Sequence, residues 1–195
     1  NGNNDVGVFL RNSVAYNHKI GPVGFGAAYS ASEMQGAVYS LGLTYSGPVT
    51  LSAAYQSTNS PGTSTRLSKL ATVGASYTFG DVTGKINYLR GVNKNTPLSE
   101  TNVGVIGLGV DWKTASNNTA MASVYMAKDK NNTTDKTTTF ILSDEYALSK
   151  RTTLYGQLAF ANAKSGATLL TTVVSGGTLA NATTTLLNVG IRHSF

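Results

Sequence analysis

Thr185-Leu186-Leu187-Asn188-Val189-Gly190-Ile191-Arg192-His193-Ser194-Phe195 closes the chain and decides the fold. Leu187, Val189, Ile191, His193 and Phe195 share one parity, and Leu186, Asn188, Gly190, Arg192 and Ser194 the other. Side chains of a β-strand alternate between two faces, so this segment carries one greasy face and one largely polar face. Such a greasy face meets either a protein core or lipid. The rest of the chain separates the two.

The same alternation recurs along the whole chain. It predicts about eleven strands, near 6–19, 23–31, 38–46, 49–57, 70–79, 82–91, 102–113, 119–128, 138–148, 152–163 and 183–195. No segment carries a 3.6-residue stripe, so the expected fold class is all-β, in a single domain over 1–195. The connections alternate in length. Ile20-Gly21-Pro22, Gly47-Pro48, Gly80-Asp81, 114–118 and Ser149-Lys150-Arg151 are short, whereas those around 32–37, 58–69, 92–101, 129–137 and 164–182 are mostly longer and rich in Asn, Thr, Ser and Gly. Short turns on one rim and long loops on the other are the layout of a transmembrane antiparallel β-barrel. Strands running toward the short turns end in Tyr16, Tyr45, Tyr77 with Phe79, Trp112, Tyr146 and Phe195, and those running back end in Tyr29, Tyr55, Tyr88 and Phe160. All share the parity of their apolar neighbours. Aromatic side chains favour a membrane–water interface, and two aromatic rings bounding an apolar band fit a bilayer better than a sandwich core. Thr168–Ser175 is one further candidate strand inside the last long connection.

Composition narrows the classes. The 195 residues suffice for one domain, and no apolar run approaches the ~20 residues of a membrane-spanning helix. Cysteine is absent, which removes disulfides, thiolate metal sites and thiol nucleophiles. The start, Asn1-Gly2-Asn3-Asn4-Asp5, has neither Met nor a signal segment, so a processed form or fragment is expected. The formal net charge is +6, but no basic cluster with stacking aromatics appears, so nucleic acid is not an expected partner.

The polar parity is where function is expected. It carries Arg11, Ser13 and Lys19 on the first strand, and Lys85 and Asn87 on the sixth. Asp111 and Lys113 follow on the seventh, Tyr125 on the eighth, Glu145 on the ninth, Tyr155 and Gln157 on the tenth, and Arg192 on the last. Basic residues outnumber acidic ones here. Fixed positive charge around a water-filled passage concentrates anions and repels cations, so an anion-preferring wall led by Arg11 is expected. A competing role for these charges is pairing with each other, as in Arg192 with Glu145. Catalysis is not expected. Only His18 and His193 are available as bases, both at strand ends on the outer parity, where an interfacial hydrogen bond suits His193. Gly104-Val105-Ile106-Gly107-Leu108-Gly109 lies inside a strand and precedes no helix, so it is no nucleotide loop. Asp129 to Asp135 resembles a calcium loop only faintly, lacking its glycine and terminal Glu. No metal or other cofactor is expected.

Tyr146-Ala147-Leu148-Ser149-Lys150-Arg151-Thr152-Thr153-Leu154-Tyr155 and the terminal Gly190-Ile191-Arg192-His193-Ser194-Phe195 resemble the trimeric general porins of β-proteobacteria. In those proteins a Tyr-x-Leu-Ser-Lys-Arg-Thr turn precedes the penultimate strand and the chain ends Arg-His-x-Phe. Arg11-Asn12-Ser13-Val14-Ala15-Tyr16 resembles the strand that follows their inward-folded third loop. The resemblance implies a passive outer-membrane diffusion channel for small ions and hydrophilic solutes, and a homotrimer. It implies a barrel of sixteen strands when complete, with this chain supplying the last eleven. The first five strands and most of the constriction loop would then come from another chain or a cleaved piece. Such a protein sits in the bacterial outer membrane, with the lipid bilayer and lipopolysaccharide as surroundings. The alternatives are a small twelve-stranded monomeric outer-membrane channel and a surface adhesin barrel. Asp144 departs from the resemblance, standing on the outer parity where the family usually has a small residue; a bulge or a shifted register is the expected explanation.

Overall fold

The computed structural model describes residues 12–31, 36–60, 66–96, 99–164 and 181–195. The chain forms eleven strands: β1 (Ser13–Ile20), β2 (Val23–Ser30), β3 (Val38–Ser46), β4 (Val49–Asn59), β5 (Arg66–Phe79), β6 (Val82–Thr96), β7 (Ser99–Ala115), β8 (Asn118–Asp129), β9 (Lys136–Ala147), β10 (Thr152–Ala163) and β11 (Ala182–His193). They hydrogen-bond in chain order, β1 through β11, as an antiparallel meander. No described helix is long and apolar enough to cross a membrane, which says nothing of crossing by strands.

Local chemistry sets the turns. Gly21 and Gly80 sit at φ of 55° and 58° in the tight turns after β1 and β5, a region where a side chain is strained. Asn12 adopts φ of 51° just before Ser13, the first strand residue described; residues 6–11 of the expected first strand lie outside the described residues, as does the candidate strand 168–175. The strands around the third long connection outrun their expected limits, β6 to Thr96 and β7 from Ser99. Apart from Val92 the added residues are polar on both parities, so alternation vanishes while the backbone ladder continues. Hydrogen bonding between strands does not need an apolar face.

The residues group into two compact units. In the first (Asn1–Ala75, Asn87–Val105 and Asp129–Thr133) the ladders set Val14, Tyr29 and Tyr39 on one cross-strand row, and His18, Phe25 and Leu43 on another. In the second (Ser76–Ile86, Ile106–Lys128 and Thr134–Phe195) Leu142, Leu158 and Leu187 form such a row. These faces are not buried: Val14 is 75% exposed, Leu187 71% and Val189 72%. A soluble protein does not leave a continuous face of this size to water. Among the described residues the buried apolar side chains are Val38, Val92, Ala159, Ala161 and Ala163, and the largest fully buried ones are Asp129, Asp135 and Ser30. Apolar side chains outward and polar groups inward is the inversion a bilayer imposes.

Asp144 belongs to this outward face. Its ladder is uninterrupted, opposite Ala120 on β8 and Gly156 on β10, so neither a bulge nor a register shift removes it. The two small neighbours leave the carboxylate exposed.

Candidate functional site on the polar face

In the first unit the polar face of β1–β4 is small and uncharged apart from Lys19. Ser40 Oγ donates to Gln56 Oε1 at 3.4 Å, and Thr44 Oγ1 to the Gly24 carbonyl at 3.4 Å. Gly26 leaves room for Asn17, whose Oδ1 lies 2.4 Å from where a Cβ would stand. Lys19 borders a shallow concavity with Asn17, Gly24, Thr44 and Ser52. Ser13 faces Ser30 across the β1–β2 ladder. Arg11 lies outside the described residues.

In the second unit four of the five charges expected on the polar face, Lys85, Asp111, Lys113, Glu145 and Arg192, fall into pairs. Lys85 Nζ on β6 forms an ion pair with Asp111 Oδ2 on β7. Arg192 Nη2 on β11 reaches across β10 to Glu145 Oε2 on β9 at 3.4 Å. Both pairs are partly exposed to water, so each contributes at most about 1 kcal/mol to stability. Their larger effect is electrical, because a paired cation adds little field to the wall. Lys113 remains exposed, and among the described residues neither it nor Lys19 has an ion-pair partner. Tyr155 lies over Gly190 on this face, its Oη 2.4 Å from a notional Cβ there, so the glycine makes room for the ring.

The expected Arg192–Glu145 pairing is present; the Lys85–Asp111 pairing was not legible. Both residues stand in the sequence with the right parity. Their register, though, passes through the long connection between β6 and β7, where residues cannot be counted across a turn.

The outward face carries the interfacial aromatics. Trp112 is 54% exposed, and Tyr77, Tyr146 and Phe195 are also exposed on the short-turn side of the second unit. In the first unit Tyr16 and Tyr45 are exposed but occupy different ladder rows, Tyr16 with Leu41 and Tyr55, Tyr45 with Val23 and Leu51. Tyr16 stacks at 6.1 Å on His18, which also packs 5.7 Å from Phe25. His193 Nδ1 and Thr152 Oγ1 are hydrogen-bonded at 2.9 Å, and the ring meets Phe195 edge-on at 4.9 Å. Among the described residues neither histidine forms an ion pair with a carboxylate. The Asp129 carboxylate accepts from the backbone N–H of Asn131 at 2.8 Å and of Asn102 at 3.2 Å, fixing the turn after β8. No group of metal-ligating side chains occurs among the described residues.

Comparison with known proteins points one way. The Gram-negative porin profile matches residues 1–166. Outer membrane porin protein 32 of Delftia acidovorans is 31% identical over 219 aligned residues, covering 100% of this chain and 59% of that protein. This chain therefore spans less than two thirds of that relative's length. Among solved structures, in-vitro folded OmpT, an outer membrane protein of Vibrio cholerae, superposes with a TM-score of 0.71 at 16% identity, over 93% of this chain and 63% of OmpT. One OmpT structure is described as a trimer form. The NanC porin superposes with a TM-score of 0.58 at 11% identity, over 94% of this chain and 92% of NanC.

Proposed function

The chain belongs to the Gram-negative porin family, and we propose that it forms the greater part of a passive diffusion channel for small hydrophilic solutes with a weak preference for anions. Its place is the bacterial outer membrane. One observation carries the reading: opposite a lipid-type face lies a polar face with two ion pairs and, among the described residues, Lys19 and Lys113 outside those pairs. Unpaired lysines along a water-filled wall attract chloride, phosphate and carboxylates and repel cations. Arg11 adds to this field in the reading, since a guanidinium stays charged at any working pH. An open sheet edge is not tolerated in lipid, so further strands complete the wall, to sixteen in the parent reading, and three such barrels form a homotrimer.

The zero-current potential across a planar bilayer under a salt gradient tests the preference. It should take the sign of anion selectivity at about 0.1 M salt and fade toward 1 M, where the Debye length shrinks from about 10 Å to about 3 Å. Arg11→Glu should move it toward cations, and Lys128→Glu, on the outward face, should leave it unchanged. Cation selectivity of the unaltered protein at low salt would refute the proposal.

A second reading has one observation in its favour, the 92% coverage of NanC, which suits a small closed monomeric barrel of twelve strands. Polypeptide masses from the purified, conducting particle separate the two. A longer chain or a second polypeptide supports the large barrel, and this chain alone supports the small one.

A further inference from the structure

The polar face of β1–β4 is built from glycine and short polar residues, and these leave a hollow in the wall. Two cross-strand rows form it. Lys19, Gly24, Thr44 and Ser52 make one, and Asn17, Gly26, Gly42 and Ala54 the other. Thr72 on β5 joins them in lining a concavity of about 570 Å3, and all of these residues belong to the first unit. Two of the glycines are covered. Thr44 Oγ1 lies 2.7 Å from where a Cβ would stand on Gly24, and Asn17 Oδ1 lies over Gly26. Gly42 is bare, since a Cβ there would meet nothing within 4 Å. Strands lie about 4.8 Å apart, so each row extends about 14 Å from β1 to β4. The hollow thus has a backbone floor at Gly42, with polar atoms laid flat beside it.

The hydrogen bonds inside the hollow set what it can accept. Thr44 Oγ1 donates to the Gly24 carbonyl at 3.4 Å, and Thr72 Oγ1 to the Tyr88 carbonyl at 3.1 Å. A hydroxyl has one proton and two lone pairs, so both threonines have committed their proton and keep lone pairs to offer. Asn17 Oδ1 is a third acceptor. Such oxygens take protons from ligand hydroxyls, which chloride lacks and a sugar carries in number. Lys19 adds a single cation at the short-turn edge, and among the described residues no carboxylate pairs with it. Several acceptors beside one cation match a ligand with several hydroxyls and one negative charge.

We propose that this hollow binds sugar acids, monosaccharides carrying one carboxylate, at the periplasmic mouth of the channel. The carboxylate meets Lys19 Nζ. Ring hydroxyls donate to Asn17 Oδ1, Thr44 Oγ1 and Thr72 Oγ1, and the ring lies over Gly42, where no side chain stands in its way. Lys19 closes β1 beside the tight turn at Gly21, on the rim of short turns that faces the periplasm. The proposal rests on the channel reading, which gives the hollow its water, and deepens it by naming a solute class. A channel site must release what it holds, and an open hollow with one cation suits weak binding.

The test titrates the detergent-purified protein with glucuronate, glucose and lactate at about 0.1 M salt, where surface charges still act over about 10 Å, and reads ligand saturation-transfer NMR. Glucuronate should bind about ten-fold tighter than glucose, which lacks the charge, and than lactate, which has a single hydroxyl. Lys19→Gln should weaken glucuronate about ten-fold and leave glucose unchanged. Gly42→Val places a side chain where the protein itself leaves room, and should remove the binding of both. Gly84→Val, equally uncrowded but on the outward face with Val82 and Ile86, should change nothing. Equal affinity for glucuronate and lactate, glucuronate binding untouched by Lys19→Gln, or binding that survives Gly42→Val would overturn the proposal. Bilayer conductance of the same preparation reads the channel separately. Current without glucuronate binding refutes the site alone, and glucuronate binding without current refutes the channel alone.

Discussion

Val189 and Asn188 are neighbours in the chain and belong to different solvents. Val189 is 72% exposed on the apolar face, in line with Leu187 and Ile191. From Phe195 up to Val189 the strand covers about 20 Å, or about 14–17 Å of height after tilt, which puts Val189 near the middle of the band. Val189→Arg should therefore cost about 2–4 kcal/mol of folding free energy in lipid, and Asn188→Arg less than about 1 kcal/mol. Urea unfolding of the vesicle-inserted protein measures both; equal costs would mean that the faces are misassigned. Asp144 lies a single outward step from Tyr146, close to the interface, where an outward carboxylate costs little. Parity alone located Val189, Asn188 and Asp144. It did not say what surrounds Asp144, because Ala120 and Gly156 arrive from strands whose register is set by the folded sheet.

Elements were most legible where lipid had shaped both their alternation and their ends. β3 spans Val38–Ser46 and β10 spans Thr152–Ala163, both as the pattern predicts. β6 and β7 escaped at their long-loop ends because the added residues, apart from Val92, are polar and declare no face. The turn between β9 and β10 shows why its sequence is distinctive. Leu148 N–H donates to the Thr152 carbonyl at 2.9 Å, and Ser149 Oγ accepts from the backbone N–H of Arg151 at 3.2 Å and of Thr152 at 3.1 Å. The serine hydroxyl thus satisfies the Arg151 N–H and shares that of Thr152 with the Ser149 carbonyl at 3.3 Å. Thr152 then bonds His193, and Ser194 N–H reaches the Arg151 carbonyl at 2.9 Å, tying β11 to the same turn. Ser149→Ala should lower stability by about 1 kcal/mol and loosen the chain end, while Ser149→Thr should restore most of it. Denaturant midpoints and hydrogen exchange at Ser194 report the two effects; an unchanged midpoint would leave the hydroxyl without a structural role.

At the scale of the whole molecule the sequence shows a formal net charge of +6, but the wall feels only charges that face it unpaired. Lys85 with Asp111 and Arg192 with Glu145 are close to neutral as pairs. Breaking each pair from a different side makes opposite predictions. Asp111→Asn frees Lys85 and should raise anion preference. Arg192→Gln frees Glu145 and should lower it. Zero-current potentials at about 0.1 M salt read both, and shifts of the same sign would contradict the placement of these residues on the wall. The account as a whole stands on one claim, that the polar face borders a continuous water path across the outer membrane. Planar-bilayer conductance of the protein purified from that membrane tests it most directly. Large, ohmic, stepwise current increments bear the claim out, and insertion into the bilayer with no current would contradict it.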